Sequence, residues 1–461
     1  MQRGHAPLDK GRAAVQIQAM SSKTITDTGE RSVAAEMQAC LERLFPLPRC
    51  LAGEANRATL RGLQAVAPLT IQEIPSGTAV HDWTVPPEWS VKEAWIADAH
   101  GRRLVDFAHH NLHLVSHSCP VDARMDWPAL QSHVHTHPTL PEAIPYRTSY
   151  YQRSWGFCVT QAQAEALAAA PGPLHVRIDS ALTPGAMSVG ELLLPGRRSQ
   201  EILLSAYICH PSMANDSLSG AVLLAFIGRH LASLPERQYS YRLVWVPETV
   251  GAVAYAATQA EALRQVEMGL VVTTVGGPGA LGYKKTFDER HPLNAMIESV
   301  FRERGDDFKT YPFDIHGSDE RQWSSPGLRI PTATICKDRY YEYAEYHSSL
   351  DDLRLVNGAQ MAESLDAYVR LIGKLESREL YRNTVGAGEV MLSRHDLYPK
   401  SGGAQLPELG GRSELDLILW LLWHCDGHTS LQDIAATLDV PLARVRELAQ
   451  RLSQKGVLAH V

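Results

Sequence analysis

Cysteine is sparse and unpatterned in this chain of 461 residues. Cys40, Cys50, Cys119, Cys158, Cys209, Cys336 and Cys425 are odd in number and form no Cys-x-x-Cys pair. They read as reduced, mostly buried thiols, which argues against a disulfide framework. Long hydrophobic runs are also missing. The best, ELDLILWLLWHC at 414–425, is too short for a membrane span and is interrupted by charge. The first thirty residues have basic side chains but no apolar core of the length a secretion signal needs, so the cytoplasm is the expected compartment. Nor is there an excess of positive charge. With 44 Lys and Arg against 51 Asp and Glu, the formal charge is −7, which argues against coating nucleic acid or an anionic membrane.

What is present is a globular composition, 44% hydrophobic and 21% charged, on a chain long enough for two or three domains. Residues 1–30 are polar and aperiodic and are expected to form a disordered tail. Val33, Met37, Leu41 and Leu44 recur at helical spacing, and EANRATLRGLQAV supplies a second helix. From 71 to 141, short β-type runs such as TIQEI, EAWIADA and RLVDFA alternate with Gly, Pro and Asp turns, which predicts a small β-rich insertion. Strand and helix then alternate: EILLSAYIC (201–209), YRLVWVP (241–247), GLVVTTV (269–275) and PTATICK (331–337) are strands separated by helical patterns. This predicts an α/β domain, residues 31–70 and 142–385, whose mostly parallel sheet is flanked by helices. Residues 398–461 read as a separate winged-helix-like unit, because SLQDIAATLDVPLARVRELAQRL has helix-turn-helix spacing.

Three strand ends carry the chemistry. YICHPSMANDSLSG (207–220) contains His210 and Asp216, VPETVG contains Glu248, and YHSSLDDL (346–353) contains His347. In open α/β sheets, ligands collect at the carboxyl ends of strands. Taken singly, Asp216 and Glu248 are equally well helix caps, and His210 an ordinary loop histidine. Taken together, two imidazoles and one carboxylate make the three protein ligands of a catalytic zinc, and a further carboxylate can take a proton from water. His210, Asp216 and His347 are then the ligands and Glu248 the base. Asp351 or Asp352 is placed to orient His347 from behind.

YICHPSMANDSLSG, VPETVG, SDERQWSSPG and YHSSLDDL, with PSGTAVHDWTVPPEW, IPYRTSYYQRSWGFC and GYKKT, resemble one family in one order. It comprises aminopeptidase-like proteins with an inserted β-rich domain and a C-terminal winged helix, often encoded beside polysaccharide or natural-product biosynthesis genes. Their core is similar to that of the co-catalytic zinc aminopeptidases, so the resemblance implies that fold and a metal-dependent hydrolase. Two-zinc aminopeptidases use a His-x-Asp motif, a bridging Asp, a Glu-Glu pair, a further Asp and a final His. Here Pro211 and Ser212 follow His210, Asp216 takes the bridging position, and Glu248 aligns with the first Glu. Thr249 stands in place of the second Glu, and Thr273 and Thr274 lie where the further Asp is expected. One zinc per chain is therefore predicted rather than two.

The implied activity is zinc-dependent hydrolysis of an aminoacyl or short peptidyl amide within a biosynthetic pathway. In that setting Asp319 is a candidate for a substrate ammonium, Arg321 and Lys284 for a carboxylate or oxyanion, and Tyr151, beside Tyr150 and Trp155, for the pocket wall. The alternatives are a single-zinc acyl transferase or cyclase, as in the similar glutaminyl cyclases, a metal-sensing or DNA-binding regulator, and a binding module without hydrolysis. Nucleic acid is disfavoured as a partner. From Ser430 to Val461 the basic residues are Arg444, Arg446, Arg451 and Lys455, set against Asp433, Asp439 and Glu447, a weak balance for phosphate contacts. The unit reads instead as a packing or dimerisation module, and a homo-oligomer is left open. His133, His135 and His137 in SHVHTH share one strand face, but no nearby acid or thiol completes a metal set.

Overall fold

Continuous apolar strands bury both faces, and the sheet they form sets the architecture. The structure, a computed structural model, describes residues 32–398 and 413–461; the expected tail at 1–30 lies outside the described residues. Eight strands form the main sheet in the order Thr70–Pro75, Ala186–Leu194, Ser240–Val246, Glu201–Tyr207, Val266–Val272, Thr332–Cys336, Gly282–Lys284, Lys309–Tyr311. The four from Ser240–Val246 to Thr332–Cys336 are mutually parallel. Every residue of Glu201–Tyr207 and of Ser240–Val246 is buried.

The pleat sends alternate residues to two cores. Ile202, Leu204 and Ala206 pack with helices Val33–Leu44, Gly220–Ser233 and Gly358–Glu376, whereas Leu203 and Tyr207 pack with helix Val250–Thr258 and Trp323. No helix among the described residues is long and apolar enough to cross a membrane.

The β-rich insertion is present as a four-stranded antiparallel sheet, in the order Arg103–Asp106, Glu88–Ala97, Leu174–Thr183, Val121–Met125, over its own apolar core. Its limits differ from the expected 71–141. Thr70–Pro75 pairs with Ala186–Leu194 in the main sheet, with Ile74 opposite Met187. Leu174–Thr183, read as part of the α/β domain, pairs along its length with Glu88–Ala97. A half-buried strand has the same two-residue period in either sheet, and its partner lies far away in sequence, so local pattern does not reveal membership.

The C-terminal unit also begins earlier than expected. Leu380–Asn383 is the central strand of a three-stranded sheet with Asp426–Ser430 and Leu458–His460. Around it pack helices Glu414–His424, Leu431–Leu438 and Leu442–Gln454, the second opened by a capping box between Ser430 and Asp433. Arg378 ties this unit to the sheet domain: its guanidinium donates to Tyr239 Oη at 2.7 Å and to His428 O at 2.8 Å, and pairs with Glu267 and Asp433.

Candidate metal centre

His210 and Asp216 share the connection that follows strand Glu201–Tyr207, His347 lies in the loop after strand Thr332–Cys336, and their ligand atoms all lie within 4.8 Å of one another. His210 follows Glu201–Tyr207 by three residues, and its backbone is fixed by Arg49, whose Nε donates to His210 O at 2.8 Å. Asp216 sits in the turn Ala214–Ser219 in a non-helical conformation. It caps nothing, and neither does Ser217, whose hydroxyl donates instead to Tyr207 O at 2.6 Å. His347 Nε2 lies 3.0 Å from Asp216 Oδ2, and Tyr346 stacks on its ring at 3.9 Å.

Burial lowers the His210 pKa to about 4, so the ring is neutral and its lone pair free for a metal at pH 7. Burial opposes ionisation of Asp216, but the two imidazoles and the Tyr207 hydroxyl outweigh it and hold the carboxyl at about 2. The set therefore stands as two imidazoles and one carboxylate, which suits a divalent transition metal.

Support from behind comes from residues other than those expected. Asp351 does not reach His347. Its carboxylate accepts the N–H groups of Asn215 at 2.6 Å and Asp216 at 2.9 Å, so it positions the Asp216 backbone; Asp352 pairs with Arg354. Tyr207 was hidden in an apolar strand, where a tyrosine reads as core. Its hydroxyl donates to Asp216 Oδ1 and accepts from Thr273 Oγ1 at 2.7 Å. Cys209 Sγ lies 3.4 Å from His210 Nδ1 and accepts the Glu248 N–H at 3.2 Å. Cys209, His210 and Glu248 thus form a second close donor group. Adjacency to His210 was the one signal in sequence for this thiol.

Glu248 follows strand Ser240–Val246 and its Oε2 is 3.8 Å from His210 Nε2. Burial, with the nearby Asp319 and Asp216 carboxylates, pushes its pKa well above the usual range. Asp319 is 0% exposed; Oδ1 accepts the Thr249 N–H at 2.8 Å, and Oδ2 has no hydrogen-bond partner among the described residues. It lies beneath the site, out of reach of the substrate ammonium assigned to it from sequence. Burial raises its pKa to about 7.

Lys284 is also displaced from its expected role. Its ammonium is buried, donating to Asp314 Oδ1 at 2.8 Å and to Glu320 Oε1 at 2.9 Å, so it holds the loop before Asp319 together. Arg321 and Tyr151 do line the cavity of about 420 Å³ that opens on His210, Glu248 and His347. Trp155 instead stacks on His133 at 3.7 Å.

Comparison with known proteins agrees with this fold. A family model described as "Domain of unknown function (DUF4910)" matches residues 38–378, and a winged helix-turn-helix model matches 379–460. A Clostridium acetobutylicum protein described as a polysaccharide biosynthesis protein with an aminopeptidase-like domain is 36% identical over 439 residues, 95% of this chain and 98% of its own. The crystal structure of a protein described as a peptidase, from the same organism, superposes with a TM-score of 0.76 at 35% identity, covering 93% of this chain and 96% of that one. A zinc aminopeptidase from Bacillus subtilis shares the fold at 11% identity, with a TM-score of 0.53 over 75% of this chain and 96% of its own. The protein therefore belongs to the DUF4910 family, aminopeptidase-like in its sheet domain and completed by a C-terminal winged helix.

Proposed function

We propose that this protein hydrolyses the amide bond of an aminoacyl or short peptidyl substrate, using one divalent metal ion, zinc by the character of its donors, and serving a biosynthetic pathway. The observation that carries this reading is the convergence of His210, Asp216 and His347 within 4.8 Å of one another, beside Glu248 and open to a cavity. These three side chains would hold the ion, which when bound supplies Lewis acidity toward a carbonyl and toward water.

Glu248 carries the proton. Its carboxylate lines the cavity 3.8 Å from His210 Nε2, where it takes a proton from the attacking water and returns it to the leaving amine. Tyr207 supports a single ion. Asp216 Oδ2 faces His347, and Asp216 Oδ1 is occupied by the Tyr207 hydroxyl, which is itself held by Thr273. Thr249, in place of a carboxylate, turns its N–H to Asp319.

Elemental analysis of the purified full chain tests the reading. About one zinc per chain is expected, lost in His210→Ala and in His347→Ala. Glu248→Gln should keep the metal and lose about 10²–10⁴-fold in amide hydrolysis. Zinc bound equally by both histidine variants would refute the ligand set.

A further inference from the structure

The cavity wall is built by segments outside the main sheet. Trp83 comes from the hairpin Ala79–Val80 and Trp83–Thr84, and Tyr146, Tyr150 and Tyr151 from a strap between the inserted sheet's strands Val121–Met125 and Leu174–Thr183. These pieces are fastened together. Tyr151 Oη donates to Thr84 O at 2.8 Å, Trp83 packs edge-on to Tyr151 at 5.8 Å, and the Tyr146 and Tyr150 hydroxyls share a hydrogen bond of 2.8 Å. The strap is in turn bonded to the metal-centre loop, since Tyr146 N–H donates to His347 O at 2.8 Å. The aromatic wall is thus pre-formed around the site, and flat apolar groups fit it best.

The charges in the same cavity are one-sided. Among the described residues that line it, Glu248 is the one acid, and the proposed function commits it to proton transfer. Asp319, the other acid close by, is fully buried. Arg321 is the one lining residue with a permanent positive charge; it donates to Ile315 O at 3.1 Å and has no carboxylate within ion-pair distance among the described residues. An α-ammonium entering this cavity would lose water without gaining an anion, and attraction to aromatic faces is weak beside that loss. A carboxylate, by contrast, finds a free guanidinium fork.

We infer that the cavity selects amides whose acyl half carries an aromatic group and no ammonium, and whose other half presents a carboxylate to Arg321. N-acylated aromatic aminoacyl conjugates of amino acids belong to this class, and peptides with a free amino terminus do not. The inference rests on the hydrolytic reading of the same site and narrows its substrate.

Three probes that share the phenylalanyl–glycyl amide test it: N-acetyl-phenylalanyl-glycine, phenylalanyl-glycine with its free ammonium, and N-acetyl-phenylalanyl-glycinamide without the carboxylate. Binding is measured by calorimetry on full-length, zinc-supplied Glu248→Gln, and on metal-free wild type as a second host; hydrolysis is measured on zinc-supplied wild type. N-acetyl-phenylalanyl-glycine should bind at least about tenfold more tightly than either comparator. Arg321→Ala should erase its advantage over the glycinamide, and Arg321→Lys should restore part of it. Equal or tighter binding of phenylalanyl-glycine, an advantage that survives Arg321→Ala, or no binding of any probe overturns the inference. The expected binding order without cleavage of any probe would leave the inference standing and refute hydrolysis. Cleavage confined to phenylalanyl-glycine would uphold hydrolysis and refute the inference.

Discussion

His117 offers a test of how the cavity wall is held. It is 5% exposed, neither ring nitrogen has a hydrogen-bond partner among the described residues, and it stacks on Trp89 at 5.4 Å and meets Tyr150 edge-on at 4.9 Å. Burial alone lowers its pKa from 6.5 to about 4. The unfolded chain therefore binds this proton first. Stability from this group is intact above pH 6.5, falls as pH drops toward 4, and changes no further below that, because both states are then protonated. A shift of this size is worth about 3 kcal/mol across the window. His117→Phe keeps the ring and removes the proton site, so any fixed cost of the replacement cancels from the pH dependence. Urea unfolding of metal-free protein between pH 7.5 and 4.5 should show wild type losing up to about 3 kcal/mol more than the variant. Parallel stability curves for the two proteins would refute the argument.

Two further outcomes follow from contacts behind the site and between the units. Tyr207→Phe removes the hydroxyl held between Asp216 and Thr273, and should weaken zinc binding by about tenfold in competition with a chromogenic chelator; unchanged affinity would show that the hydroxyl does not tune the carboxylate. Arg378→Ala removes one ion-pair partner from Glu267 and one from Asp433, together with the bonds to Tyr239 and His428. It should cost about 3 kcal/mol and expose the C-terminal unit to limited proteolysis, and an unaltered cleavage pattern and unfolding midpoint would count against that account.

The site was legible where chemistry sits in loops. His210 and Glu248 stood out because they follow apolar strands within three residues, and His347 because it lies in the loop after another, and strand ends are where an α/β sheet exposes its loops. What sequence concealed was depth. Asp319 and Lys284 look like surface charges in a polar loop, yet both are buried, one under Glu248 and the other inside a carboxylate cluster. Tyr207 was concealed in the opposite way, as a polar group inside an apolar strand. The strand pattern of the α/β domain was readable from its long apolar runs, whereas Thr70–Pro75, Leu174–Thr183 and Leu380–Asn383 lie across the domain bounds expected from sequence, because pairing across long separations leaves no local mark.

The way the insertion interrupts the main sheet also bears on the order of assembly. Pro75 and Ala186 are paired neighbours, so the whole segment 76–185 is a loop between two adjacent antiparallel strands. Were that loop a flexible coil of roughly a hundred residues, closing it would cost about 4 kcal/mol before any strand contact repaid it. The inserted sheet has an apolar core of its own, and once formed it holds the two ends together and cancels most of that entropy. The insertion is thus a folding clamp as well as a wall. During synthesis it can condense first, and the edge strand that precedes it docks only when its partner at 186–194 has emerged.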